Sequence, residues 1–85
     1  MPSGTEPPPG AFSRAVTSEL RAIMGRYGIA NKEVAEAIHK SPNYVSKRLR
    51  DQASFTTNDV ADICAALSID LAGFLAAAIR TSRRL

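Results

Sequence analysis

Tryptophan is absent, there is one cysteine and one histidine, and the aromatic residues are three Phe and two Tyr. Each scarcity excludes something. A lone Cys64 allows no intramolecular disulfide and suits a reducing compartment. A lone His39, with no Cys or second His at ligand spacing, makes a metal site an unwelcome reading. Few aromatics imply an aliphatic core and leave no stacking platform for single-stranded nucleic acid. The longest apolar run, Leu71 to Ile79, is too short to span a bilayer, and no basic segment followed by an apolar one marks a signal peptide. A soluble, cytoplasmic protein is therefore expected. The sequence also shows no Gly-rich phosphate loop, no nucleophile with a base partner and no paired carboxylates in a cleft-forming context. Neither an enzyme nor a bound cofactor is expected.

What is present is ordinary in amount and unusual in distribution. The 85 residues suffice for one small core, and 45% hydrophobic with 22% charged residues is a globular balance. The net charge of +3 is modest, yet it is polarised. Lys40, Lys47, Arg48 and Arg50 fall within eleven residues that contain no acid. Arg80, Arg83 and Arg84 form a second basic cluster, while most carboxylates (Glu19, Glu33, Glu36, Asp59, Asp62, Asp70) lie elsewhere.

Residues 1–10, MPSGTEPPPG, read as a disordered Pro/Gly tail, because three consecutive prolines forbid helix and favour an extended segment. As an arm to DNA this tail has no Lys or Arg to offer. From Ala11 the pattern is all-α, with a domain over 11–80 and a basic tail over 81–85. Phe12, Val16, Leu20, Ile23, Met24 and Tyr27 share one stripe of a first helix, stopped by Gly28. Asn31 is the expected cap of a short second helix burying Val34, Ala35 and Ile38. Ser41, followed by Pro42 at the first helical position, caps a third that buries Val45 and Leu49. Thr56 with Asp59 resembles a capping box opening a fourth helix, lined by Val60, Ile63, Cys64 and Leu67. Asp70 caps a fifth, carrying Leu71, Phe74, Leu75, Ala78 and Ile79. Cys64 and Met24 read as core. No period-2 alternation of useful length appears, so no strand is predicted.

Residues 31–51, NKEVAEAIHKSPNYVSKRLRD, hold the informative spacing. A small residue, Ala35, stands where two crossing helices come closest, Val34 and Ile38 flank it, and Val45 follows ten residues later as an anchor. His39 and Lys40 make the turn. The VAEAI…S…YVSKRLR core, with FTTNDVADICAALSIDLAGFL after it, resembles the lambda-repressor-like (Cro/C1, XRE) helix-turn-helix family from about Phe12 to Ile79. It is especially similar to small actinobacterial and actinophage regulators. The chain departs from that pattern at three places. His39 holds a turn position usually given to Gly, Lys40 replaces an apolar residue, and Arg48 stands where an apolar residue is common, with Leu49 one step later.

The resemblance implies a five-helix domain acting as a sequence-specific double-stranded DNA-binding regulator of transcription, more often a repressor than an activator. Members bind pseudo-palindromic sites as dimers, with the second motif helix in successive major grooves about one helical turn apart. A wheel centred between Val45 and Leu49 turns Asn43, Tyr44, Lys47 and Arg50 outward as base-reading candidates, with packing against the neighbouring helix as the alternative for Tyr44. Asn31, Lys40, Ser41, Ser46 and Arg48 are candidates for phosphate contact. The fifth helix, through Leu71, Phe74, Leu75, Ala78 and Ile79, is either the contact between subunits or the closure of the monomer core. Rival readings are a recombination accessory factor or autoregulating antitoxin, and a protein-interaction module on the same fold.

Overall fold

The computed structural model describes residues 8–83 and contains five α-helices and no strand within them. They are α1 (Ala11–Tyr27), α2 (Asn31–Ala37), α3 (Pro42–Leu49), α4 (Thr57–Ala66) and α5 (Leu71–Ser82). Most of the expected N-terminal Pro/Gly tail and the last two residues of the basic tail lie outside the described residues. α1 lies along α5 and also touches α3; α2 and α3 form a corner, and α4 packs against α2 and α5. Leu20, Val34 and Val45 are fully buried where these elements meet. Removing such a side chain from water contributes about 1.5–3 kcal/mol.

The expected helix starts hold in three cases of four. Ser41 Oγ accepts the Tyr44 N–H at 3.1 Å, and Asp70 Oδ2 accepts that of Gly73 at 2.8 Å. Thr56 and Asp59 bond reciprocally, the Asp59 N–H to Thr56 Oγ1 at 2.9 Å and the Thr56 N–H to Asp59 Oδ2 at 3.0 Å. Asn31 departs from expectation: it is the first helical residue, and Ala30 precedes it in extended conformation. Glu33 holds that end by itself, its Oε1 accepting the Ala30 N–H at 3.0 Å.

Four helices end in one and the same way. Gly28, His39, Asp51 and Ser68 adopt left-handed backbone, with φ of 66°, 56°, 58° and 57°. The next amide then donates to the carbonyl five residues back: Ile29 to Met24, Lys40 to Ala35, Gln52 to Lys47 and Ile69 to Cys64. This closes the orphan carbonyls of each last turn. Only the first of the four uses glycine. His39 therefore does take the conformation that its family position demands.

The stripe of α1 also departs from expectation. Phe12 and Tyr27 are 47% and 68% exposed, whereas Ala15 and Thr17 are buried. α1 is covered on two sides, by α5 and α3, so its buried arc is wide and centred on the middle of the helix. Toward its two ends the cover is only partial. Thr17 is tolerated inside because its hydroxyl donates to the Ser13 carbonyl at 3.1 Å.

Candidate nucleic-acid interface

The corner between α2 and α3 is built from small and β-branched residues. Ala35 and Val45 are both essentially inaccessible, and Leu49 continues the buried edge of α3. The far end of α3 is tied to the first helix: Arg21 Nη1 donates to the Leu49 carbonyl at 2.6 Å. That bond satisfies a carbonyl of the last turn and places a cation at the negative end of the helix dipole.

With that edge fixed, Asn43 and Lys47 lie exposed on α3 and Arg50 lies exposed at its C-cap. Lys40 and Ser41 are exposed at its start, while Asn31 and Ser46 are half-buried. Arg50 is held in place, its Nη1 donating to Ser46 Oγ at 2.9 Å and its Nη2 to Gln52 Oε1 at 3.5 Å. Gln52 was not among the sequence candidates. The left-handed step at Asp51 brings it back beside α3, and that step has no glycine to announce it. Lys32 and His39 are further exposed polar residues on α2 and its turn. Their charge or position in the turn was the available signal.

Tyr44 does not lie free on the outer face and instead packs against its neighbours, the second of its two expected placements. It is half-buried, and its hydroxyl donates to Asp59 Oδ2 at 2.7 Å. That oxygen is the one that also caps α4 through Thr56, and Asp59 is itself buried. The Arg48 guanidinium lies 3.4 Å from the centre of the Tyr44 ring, and Arg48 Nη1 donates to the Tyr44 carbonyl at 3.2 Å. Lys40 Nζ stands 5.3 Å from the same ring. Burial, then the bond to Asp59 and its charge, push the Tyr44 phenol above its ordinary value. The hydroxyl therefore stays protonated and keeps donating. Arg48, half-buried with its Nε enclosed and unbonded, points along this stack.

Of the residues suggested for subunit contact, Phe74 and Ala78 are spent inside the domain, at 5% and 0% exposure. They fill the core against α1 and are not available to a partner. Leu71 and Ile79 are exposed and Leu75 is partly covered. Cys64 is buried, and burial followed by the charge of Asp70 raises its thiol, so little reactive thiolate forms. Among the described residues no group of three His, Cys, Asp or Glu side chains is placed to hold a metal ion. No described helix is long and apolar enough to cross a membrane.

Five helices without a strand among the described residues, a tight corner between α2 and α3, and a cationic outer side on α3 define a lambda-repressor-like DNA-binding domain. The helix-turn-helix family model matches residues 20–74, and the chain belongs to that family, in its Cro/C1 (XRE) branch. Two crystal structures of the clp gene regulator ClgR from Corynebacterium glutamicum are similar to it. One is 30% identical with a TM-score of 0.70, covering 84% of this chain and 91% of that one. The other is 28% identical with a TM-score of 0.75, covering 91% and 81%. No curated protein matches the sequence. Family and fold are those of a DNA-binding transcriptional regulator, not of an enzyme.

Proposed function

We propose that this protein is a sequence-specific repressor that lays α3 in the major groove of double-stranded DNA. The observation that carries the reading is the joint exposure of Asn43, Lys47 and Arg50 opposite the buried Val45 and Leu49. Asn43, in the first turn, suits a bidentate pair with adenine; Lys47 and Arg50 suit guanine O6 and N7. Lys40 and Ser41 flank this row from exposed positions and contact phosphate, with Asn31, Ser46 and the Tyr44-stacked Arg48 as lesser contacts from half-buried positions. The described similarity to the clp gene regulator ClgR supports a role in gene regulation; such a role would be exercised in the cytoplasm. The protein acts as a homodimer on a pseudo-palindromic site, joined through the exposed edge of α5 at Leu71 and Ile79 with Leu75 behind them.

Selection of bound sequences from a random duplex pool tests this reading, because the symmetry of the recovered site reports the oligomer. Mobility-shift titration of that site at two salt concentrations should show retention against competitor and an affinity that falls with salt. Lys47→Ala and Asn43→Ala should each cost about 1–3 kcal/mol of specific binding with the fold intact. Unchanged affinity in both variants would move the reading surface away from α3.

A further inference from the structure

Resting on the DNA-reading role proposed for α3, we infer that Tyr44 is a positioning residue that sets the roll of this helix against α4 and thereby its sequence specificity. α3 is short, with eight residues, and is anchored on its buried side by Val45 and Leu49. Two aliphatic contacts along one edge resist translation well and rotation poorly, because apolar packing has no direction. Directional bonds supply the missing constraint. At the N-terminal half, the Tyr44 hydroxyl donates to Asp59 Oδ2 at 2.7 Å. At the C-terminal end, Arg21 holds the Leu49 carbonyl at 2.6 Å.

Asp59 is a rigid acceptor. It is 5% exposed, and its Oδ2 is already fixed by the Thr56 N–H of the α4 cap. The tyrosine ring, in turn, is clamped by the Arg48 guanidinium at 3.4 Å. Asn43 precedes Tyr44 and Lys47 follows one turn later, so the roll fixed at Tyr44 is transmitted directly to both. On a helix whose side chains reach about 5–6 Å from the axis, a roll of about 10° moves a contacting atom by about 1 Å. Base-edge hydrogen bonds tolerate a misplacement of about 0.5 Å. Phosphate contacts by flexible lysines absorb far more. Loss of the Tyr44 bond should therefore spoil base reading and spare general affinity for DNA.

The test is Tyr44→Phe, which keeps the ring, its packing and the Arg48 stack while removing the donor. Affinity for the selected duplex and for a scrambled duplex of equal length is measured well below the melting temperature. The selected site should weaken by about tenfold, comparable to one mismatched base pair, and the scrambled site should not change. With Tyr44 intact, Asp59→Asn, whose amide oxygen can accept the same two bonds, should retain the discrimination of the wild type to within about twofold. A structural role alone lowers the melting temperature of Tyr44→Phe and leaves the ratio of the two affinities untouched. That result would overturn the inference. Failure of the wild-type protein itself to discriminate the two duplexes would instead remove the DNA-reading role on which it stands.

Discussion

Asp51 offers the cleanest quantitative test of how this fold is held. It occupies left-handed backbone at φ 58°, and its Oδ1 is buried with no hydrogen-bond partner. Asp51→Gly changes both conditions. Left-handed backbone costs a side-chain-bearing residue roughly 1–2 kcal/mol, with Asp at the low end of that range. Glycine returns about 0.5–1 kcal/mol of this through the extra freedom of the unfolded chain, leaving a small net gain. An enclosed polar atom without a partner costs about 1–3 kcal/mol. The residue is only half-buried, so the lower part of that range applies. The sum is a stabilisation of about 1–2 kcal/mol, each kcal/mol being worth about 4–8 °C in melting temperature for a domain of this size.

Urea unfolding followed by far-UV circular dichroism measures it, with two controls. Asp51→Ala removes the lone oxygen and keeps the strained backbone, so it should gain less than Asp51→Gly. His39→Gly relaxes backbone at an exposed position and should gain under about 1 kcal/mol. A glycine variant at 51 that is less stable than wild type would refute the reasoning. So would a gain no larger than that of His39→Gly.

Three further outcomes are expected. Ala35→Leu should cost about 1–3 kcal/mol by overpacking the corner of α2 and α3, where Ala35 is 1% exposed; a wild-type melting curve would contradict its packing role. Ser41→Ala removes the cap of α3 and should destabilise by about 1 kcal/mol in the same urea assay. Because the folded domain holds the Tyr44 phenol above 10.0, the folded chain keeps a proton that the unfolded chain releases there. Stability should therefore be level below that pH with respect to this group and fall as pH rises through the window above it. Tyr44→Phe should abolish that component of the slope, measured as unfolding free energy against pH.

Sequence legibility followed the range of the forces involved. The helix starts at Ser41, Thr56 and Asp70 rest on a side chain and an amide three residues on, so local reading finds them. The second helix starts one residue before the sequence pattern places it, because Glu33 supplies the cap from inside the helix. The ends of α1 were misjudged because periodicity gives the direction of an apolar stripe and not the length that neighbours will cover. Phe12 and Tyr27 continue the pattern to where the neighbouring elements cover α1 only in part. On α3 the exposed row of Asn43, Lys47 and Arg50 follows from the placement of Val45 and Leu49. Tyr44 sits at the margin of that face, where a tertiary contact decides. Its acceptor, Asp59, is fifteen residues away and does double duty as a cap. Likewise, nothing local divides α5 between the core-filling Phe74 and Ala78 and the exposed Leu71 and Ile79.

The pairing of α1 with α5 bears on the order in which the domain assembles. α2 and α3 are joined by the short turn over residues 38–41, and α4 follows after residues 50–56, so the contacts of α2 with α3 and with α4 close small loops at low entropic cost. α1 and α5 are separated by all three, and their docking closes the largest loop in the chain. Contacts of long sequence separation are the slow ones to form, and the rate of folding is set by them. The corner carrying the cationic helix is thus a local product, and the seam between the first and last helices is its lock. Shortening the chain within α5 would remove Phe74 or Ala78 from that seam and uncover the buried side of α1. The corner would lose its support without one of its own residues being changed.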